Sequence, residues 1–362
     1  MLARAGVSVT LVERARFPRD KVCGECLSDL GVRTLRQCGL DKALRPLTPV
    51  VLDACRFVGR RGAELRLDLP SPMWGLSRRA MDVALLEAAR EAGASVLQPA
   101  RVEHLAPGRR PRLRVRRLID NRVEEIDTDL VLLADGKGTL LQDKPATTGD
   151  LGLQAHFEGV EADDRTIALF GLRGHYAGLA PAADGAGGVT WNLASSVPQR
   201  RVRAFAGNHD ALLAAMRREN AALDAALASA RRLGHWHACP LPRFGVRRAW
   251  PDGVISIGNA AAALEPIGGE GMGLAIASAL LAAQWVTAGG LAGGDVESLR
   301  QSYARLWRAR RAACRATALL LSGGSVGSLA IRAARMAPVL GRLGMALAGK
   351  RATFGEAAPS RA

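Results

Sequence analysis

Aromatic residues are scarce in this chain: Phe, Trp and Tyr together make up 4% of its 362 residues. So few rings leave little for stacking nucleic-acid bases. The net charge of +16 therefore does not point to a nucleic acid, and none is expected as a partner. The charge is carried mostly by scattered arginine, and a basic face toward anionic lipid, or an Arg-rich proteome, explains it as well. No P-loop and no Ser/His/Asp signature is present, which removes two common catalytic designs. There is also no strand followed by G-x-G-x-x-G, the loop that binds a dinucleotide pyrophosphate. No signal-peptide pattern is read ahead of Cys23, Cys26, Cys38, Cys55, Cys239 and Cys314, so free thiols in a reducing cytoplasm are expected. The uncharged run Gly271 to Gly294 is long enough to span a bilayer. It is rich in Ala and Gly, however, and reads better as a buried helix behind a glycine loop.

What is present is the composition of a globular protein, 48% hydrophobic and 23% charged, long enough for two domains or one large α/β body. Val7 to Glu13 reads as a buried strand ending on an acid. That is the form of the second strand of a dinucleotide-binding unit, whose terminal carboxylate takes a ribose hydroxyl. Gly6 caps the short helix before it. The phosphate-binding glycines belong about 20 residues before such an acid, which falls upstream of Met1. The expectation is therefore a chain that either starts too late or has lost its first strand and glycine loop.

Further along, residues 79 to 92 carry an amphipathic stripe of Met81, Leu85, Ala88 and Ala92, closed by Gly93. Residues 112 to 127 read as a hairpin turning at Asp120-Asn121. Asp129 to Ala134 is a buried strand that runs into Asp135-Gly136. Alternating segments between 151 and 195 predict an antiparallel sheet. Residues 201 to 233 and 297 to 320 predict helices, and Val326 to Lys350 a basic, apolar tail helix. Val254 to Gly258 is again a buried strand, leading into Asn259 and a Pro/Gly loop.

Four segments in order carry a resemblance: Glu13; Arg78-x-x-Met81; Ala134-Asp135-Gly136; and Gly258-Asn259-Ala-Ala261 followed by Pro266 and Gly268-Gly-Glu-Gly-Met-Gly273. Over residues 1 to about 290 the chain resembles the flavoproteins of the para-hydroxybenzoate hydroxylase and geranylgeranyl reductase type. The stretch from Arg16 to Ser28, with Cys23-Gly-Glu-Cys26, brings it nearest to the geranylgeranyl-reductase-like branch, as does Gly178-Leu-Ala-Pro181. The resemblance implies an α/β fold: a Rossmann-like FAD-binding domain over 1–150 and 240–295, an inserted β-rich substrate domain over 151–239, and C-terminal helices over 296–362.

It also implies roles. Glu13 would hold the adenosine ribose. Arg36 would meet phosphate, against the alternative of one more exposed arginine. Arg78, rather than the adjacent Arg79, would lie along the cofactor. Asp135 and Gly136 would support FAD and NAD(P)H contacts. Asn259 stands where the family has Asp; an amide still accepts a hydroxyl hydrogen bond but brings no charge. Pro266, Gly269, Gly271, Met272 and Gly273, with Gly258 before them, would form a loop that lets backbone N–H groups approach the flavin, beside a helix N-terminus. Cys23, His175 and Tyr176 are the catalytic candidates, the last two as proton donors and Cys23 in a C-x-x-C that is either a redox pair or loop packing. His235-x-His237-x-Cys239 reads as a strand closing the substrate pocket in preference to a metal site, and no metal is expected. The halogenase segment Trp-x-Trp-x-Ile-Pro has no counterpart at Trp191.

The expectation is an FAD-dependent oxidoreductase using NAD(P)H or another donor on an apolar, aromatic or isoprenoid-like substrate. It would work either by hydride transfer to a double bond or by monooxygenation through a flavin hydroperoxide. A cytoplasmic location is expected, with the basic C-terminal helix either packed on the body or resting on the inner face of a membrane. A non-catalytic remnant or binding protein stands as the rival.

Overall fold

The computed structural model describes residues 1–136, 139–141, 147–247 and 250–336. Its Rossmann-like part contains two parallel strand pairs. β1 (Thr10–Val12) lies beside β5 (Ser95–Leu97), and β9 (Val131–Leu133) beside β16 (Val254–Ser256). Between β1 and β5 in sequence come α1 (Asp29–Gln37), the single turn α2 (Asp41–Leu44) and α3 (Arg78–Glu91). Ser77 caps α3 by accepting the Arg79 N–H at 3.1 Å. Met81, Leu86 and Ala88 form its buried face, and Gly93 leaves it with φ +90°.

A three-stranded meander follows: β6 (Ala100–Ala106), β7 (Arg112–Arg117) and β8 (Val123–Asp127). Asn121 turns the β7–β8 hairpin with φ 56°, a conformation that Asn tolerates. The arginines of this hairpin face carboxylates across the strands, Arg112 with Asp127, Arg117 with Glu124, and Arg114 and Arg116 with Glu103. Much of this hairpin's basic charge is thus matched locally.

The largest sheet has eight strands: β2 (Cys26–Leu27), β3 (Val50–Val58), β4 (Glu64–Gly75), β10 (Thr147–Glu158), β11 (Thr166–Leu172), β12 (His175–Ala183), β13 (Val189–Pro198) and β14 (Arg231–Pro242). Its order is β14-β10-β13-β12-β11-β3-β4-β2, antiparallel except where β11 runs parallel to β3. The β-rich unit expected over 151–239 is therefore larger. Strands from the first 75 residues complete it, because β11 pairs on its free side with β3.

Period-two alternation divides the sheet's side chains between two cores. Leu153, Ala155, Phe157, Ala168, Phe170, Ala177, Leu179 and Leu193 point to one face. There they pack under α4 (Gln199–Ala204), α5 (His209–Glu219) and α6 (Ala221–Ala226) through Val202, Leu212, Met216 and Leu223. Leu169, Tyr176 and Ala180 point to the other face, toward α7 (Gly271–Thr287), α8 (Val296–Ser322) and α9 (Ser325–Met336). The single helical stretch expected from 201 is broken by Gly207, with φ 77°, and by Asn220, and its end is already β14.

Asn220 fastens this layer. Its Oδ1 accepts from the N–H groups of Ala222 and Leu223, and its Nδ2 donates to the carbonyls of Val58 and Gly171. Asn220→Ala is expected to lower stability by about 2 kcal/mol, a lost cap plus unmatched buried carbonyls. The midpoint of urea unfolding checks it; an unchanged midpoint would contradict the capping role.

Helix α7 follows the glycine loop as expected and carries no charged residue. Among the described residues no single helix is long and apolar enough to cross a membrane; α8 and α9 pass only as a pair, bent by 113°. The tail helix expected to Lys350 is described as far as Met336, and the remainder lies outside the described residues.

Candidate functional site

After β16 the chain turns at Gly258, whose φ of 57° suits glycine. The Gly258 N–H donates to Ser278 Oγ of α7 at 2.9 Å, which fixes the turn to that helix. Asn259 is exposed beside it. A short pairing of β15 (Gly245–Val246) with β17 (Ala262–Ala263) then leads to Glu265, the tight turn Pro266–Gly268, Gly269, Glu270 and the first turn of α7.

The glycines of this loop do different things. A Cβ on Gly273 would lie 2.2 Å from Ser28 Oγ and 2.9 Å from the Gly31 backbone N, so its missing side chain lets α7 meet α1. Gly269, with φ 65°, sits against Met73 and Cys26. Gly271 is exposed and has open space where its Cβ would be. Pro266 is exposed as well. Met272 turns inward to a cluster with Leu27, Val32, Leu35 and Met81. Gly271 thus has open space beside it, whereas Gly269 and Gly273 are taken up by protein packing. No side chain caps the α7 N-terminus, and the buried Ser28 hydroxyl next to it has no hydrogen-bond partner.

Against this loop lies Cys23–Cys26, tied to the sheet at three points. The Cys23 N–H donates to Gln154 Oε1 at 3.1 Å, and Asn192 Nδ2 donates to the Cys23 carbonyl at 2.8 Å. Glu25, 2% exposed and held at φ 55°, accepts from the Arg78 N–H at 2.9 Å with one oxygen. Its other oxygen pairs with His156 Nε2 at 2.8 Å. Burial works against the charged imidazole, but the bond to Glu25 outweighs it and holds the His156 pKa above its ordinary value. Gln154 Nε2 and Asn192 Oδ1, both buried on the same sheet face, have no hydrogen-bond partner. None of Glu25, Gln154, His156 and Asn192 was expected as a site residue. The signal was two polar residues, Gln154 and His156, alternating with Leu153, Ala155 and Phe157.

Of the catalytic candidates, Cys23 is half-buried in this loop, its sulfur accepting the Glu25 N–H at 3.4 Å. Tyr176 points to the same side of the sheet, and its hydroxyl donates to Glu265 Oε1 at 2.9 Å. Burial, then Glu265, pushes the Tyr176 pKa well up, so the phenol keeps its proton. His175, expected beside it as a proton donor, lies elsewhere. Alternation along β12 turns it to the opposite face, with Nδ1 on the Arg173 carbonyl at 3.0 Å and with Arg201 and Glu219 nearby. Burial brings its pKa down to about 4, and it takes no part in this site.

The remaining expected residues lie around the site or at its far end. Arg78 is bidentate on Asp82 at 2.7–2.8 Å. Burial opposes its charge, but Cys23 and Asp82 prevail and hold it above the usual range. Arg79 reaches Asp20 instead. Arg36 is exposed over the Trp74 ring, 5.8 Å from the centroid. Glu13 Oε1 accepts from the Ala15 N–H at 2.7 Å. Asp135 Oδ2 accepts from the Leu140 N–H at 3.1 Å, and Gly136 turns with φ 73°. His235, His237 and Cys239 lie on β14, and among the described residues no group of three or more His, Cys, Asp or Glu could hold a metal ion.

A family model described as "FAD binding domain" matches residues 1–316. The menaquinone reductase of Mycolicibacterium smegmatis is 26% identical over 340 residues, covering 84% of this chain and 77% of that protein. The menaquinone reductase of Mycobacterium tuberculosis is 35% identical over 104 residues, 26% of this chain and 24% of the other. Among solved structures, the flavin-dependent brominase Bmp2 superposes with a TM-score of 0.79 at 19% identity, over 96% of this chain and 89% of its own. A geranylgeranyl bacteriochlorophyll reductase-like protein from Thermoplasma acidophilum gives 0.68 at 17% identity, over 96% and 94%. At these identities the structures show the fold alone.

Proposed function

We propose, because the chain belongs to the FAD-binding domain family, that it is an FAD-dependent reductase acting on a carbon–carbon double bond of an apolar, isoprenoid-bearing substrate, with NAD(P)H as electron donor. Bound FAD supplies the two-electron exchange. The residues present fit it. Exposed Gly271 and the uncapped first turn of α7 offer backbone N–H groups and a positive dipole to the flavin's polar edge, and exposed Pro266, which has no N–H to give, shapes the turn before them. Asn259 would take a ribityl hydroxyl, Glu13 the adenosine ribose, and Arg36 phosphate.

The observation that carries the reductase reading is the pairing of half-buried His156 with buried Glu25, in the Cys23–Cys26 loop that lies against the glycine loop. Saturating a double bond adds hydrogen to both carbons, and one of them arrives as a proton. His156 holds that proton: Nε2 is committed to Glu25, and Nδ1 is free to give one up. Glu25 orients the ring and favours its charged form. Gln154 Nε2 and Asn192 Oδ1 provide a donor and an acceptor on the same face for a polar group of the substrate. Similarity to the menaquinone reductases supports an isoprenoid quinone as the substrate class.

The test is to load the protein with FAD, confirm the visible bands of oxidised flavin, and supply NAD(P)H with a long-chain isoprenoid quinone under nitrogen. After any quinol has been reoxidised to the quinone, a product heavier by two hydrogens in its isoprenoid chain is expected. Turnover that requires oxygen and adds one oxygen atom would overturn the reductase reading, and absence of flavin bands would overturn the cofactor site.

A further inference from the structure

Two buried carboxylates bracket the turn at Pro266: Glu265 on one side, 4% exposed, and Glu270 on the other, 1% exposed. Both are met by arginines of one helix. Arg315 of α8 reaches Glu265 Oε2 at 3.0 Å, and Arg310 of α8 lies 3.4 Å from Glu270 Oε2. Between them in sequence, Cys314 presses on the turn itself; a Cβ on Gly268 would lie 2.7 Å from its sulfur. From the sheet side, Tyr176 donates its hydroxyl to Glu265 Oε1 at 2.9 Å. A surface loop has no need of two buried charges, because each must be desolvated and then matched.

We infer that Arg310 and Arg315 of α8 are positioning residues that clamp the glycine loop through Glu270 and Glu265 and set the electrostatic potential at the flavin edge that rests on it. The inference builds on the FAD site proposed above. Glu265 is a carboxylate in a water-poor place next to the loop, 4% exposed and met by Arg315. With Arg315 opposite, the pair is neutral. Without Arg315 the carboxylate stands beside the flavin uncompensated except by a phenol, and added electrons are disfavoured. Removing the carboxylate instead leaves a half-exposed guanidinium and favours them. The two single substitutions therefore act in opposite directions, which loss of packing alone does not produce.

The experiment is a reductive titration of the FAD-loaded protein against a redox dye of known potential. Arg315→Met is expected to shift the balance toward oxidised flavin by about tenfold, and Glu265→Gln toward reduced flavin by a similar factor. For a two-electron couple that is roughly 30 mV each way. Arg315→Lys is expected to restore the wild-type value. Potentials that stay unchanged, or that move the same way in both variants, overturn the inference while leaving the FAD site intact. Wild-type protein that takes up no FAD overturns the site reading, and the inference with it. If Arg315→Met does not fold, Glu265→Gln decides alone, because a glutamine oxygen still accepts the Tyr176 hydroxyl: a rise supports the clamp, and no change overturns it.

Discussion

Replacing His156 with alanine is expected to reduce turnover by about 10²- to 10⁴-fold, the usual contribution of a positioned proton donor. The visible spectrum of bound flavin should persist, because His156 touches the Cys23–Cys26 loop through Glu25 and not the glycine loop. The pH profile sharpens the test. In the folded protein the His156 pKa lies above the ordinary 6.5, so turnover that needs the protonated ring is lost as pH rises through that higher value. Pairing follows the same sign: it stabilises the fold fully below the unfolded pKa and ceases to do so as pH rises through the folded one. Glu25→Gln keeps an acceptor for the Arg78 N–H but removes the charge, so the alkaline limb should move to lower pH. Asp20 also bears on His156, and Lys21, Cys23, His237 and the Arg78 guanidinium belong to the surrounding segments. Asp20→Asn is therefore the control, with a smaller displacement expected. Wild-type turnover in His156→Ala would remove His156 from the reaction.

The second large effect is expected at Gly273. Even alanine there places a carbon 2.2 Å from Ser28 Oγ and 2.9 Å from the Gly31 backbone, so α1 must move off α7. Overpacking of this kind costs about 3 kcal/mol at the upper end of its usual range. Here it also displaces Ser28 and the Cys26–Leu27 strand beside the glycine loop. Gly273→Ala should unfold at markedly lower urea concentration and purify without flavin. Gly271→Ala, with open space around its Cβ, should be as stable as wild type and lose cofactor affinity only. Equal destabilisation of the two variants would contradict the division of roles between these glycines.

The parts of the fold that were legible in the sequence are those whose cause is local. The stripe on α3, the Asn121 turn, the buried strand before Asp135 and the glycine loop before α7 each carry their signal within a few residues. What could not be read was partnership. The parallel pairing of β11 with β3 joins residues more than a hundred positions apart, and no periodicity names a partner. The same limit hid the site: Glu25 and His156 are 131 residues apart, and each alone looks like an ordinary polar residue. His175 and Tyr176 show the complementary limit. Their neighbourhood was legible, but only the pleat of β12 decides which of two adjacent side chains faces the loop.

Cys314 has a practical use as a reporter. Its thiol is 1% exposed and lies under Gly268, at the seam between α8 and the glycine loop. A small alkylating reagent reaches it only in those moments when the loop lifts from the helix. The rate of Cys314 modification thus counts openings, and its slowing on addition of FAD would measure how firmly the cofactor holds the seam shut, without any substrate being known.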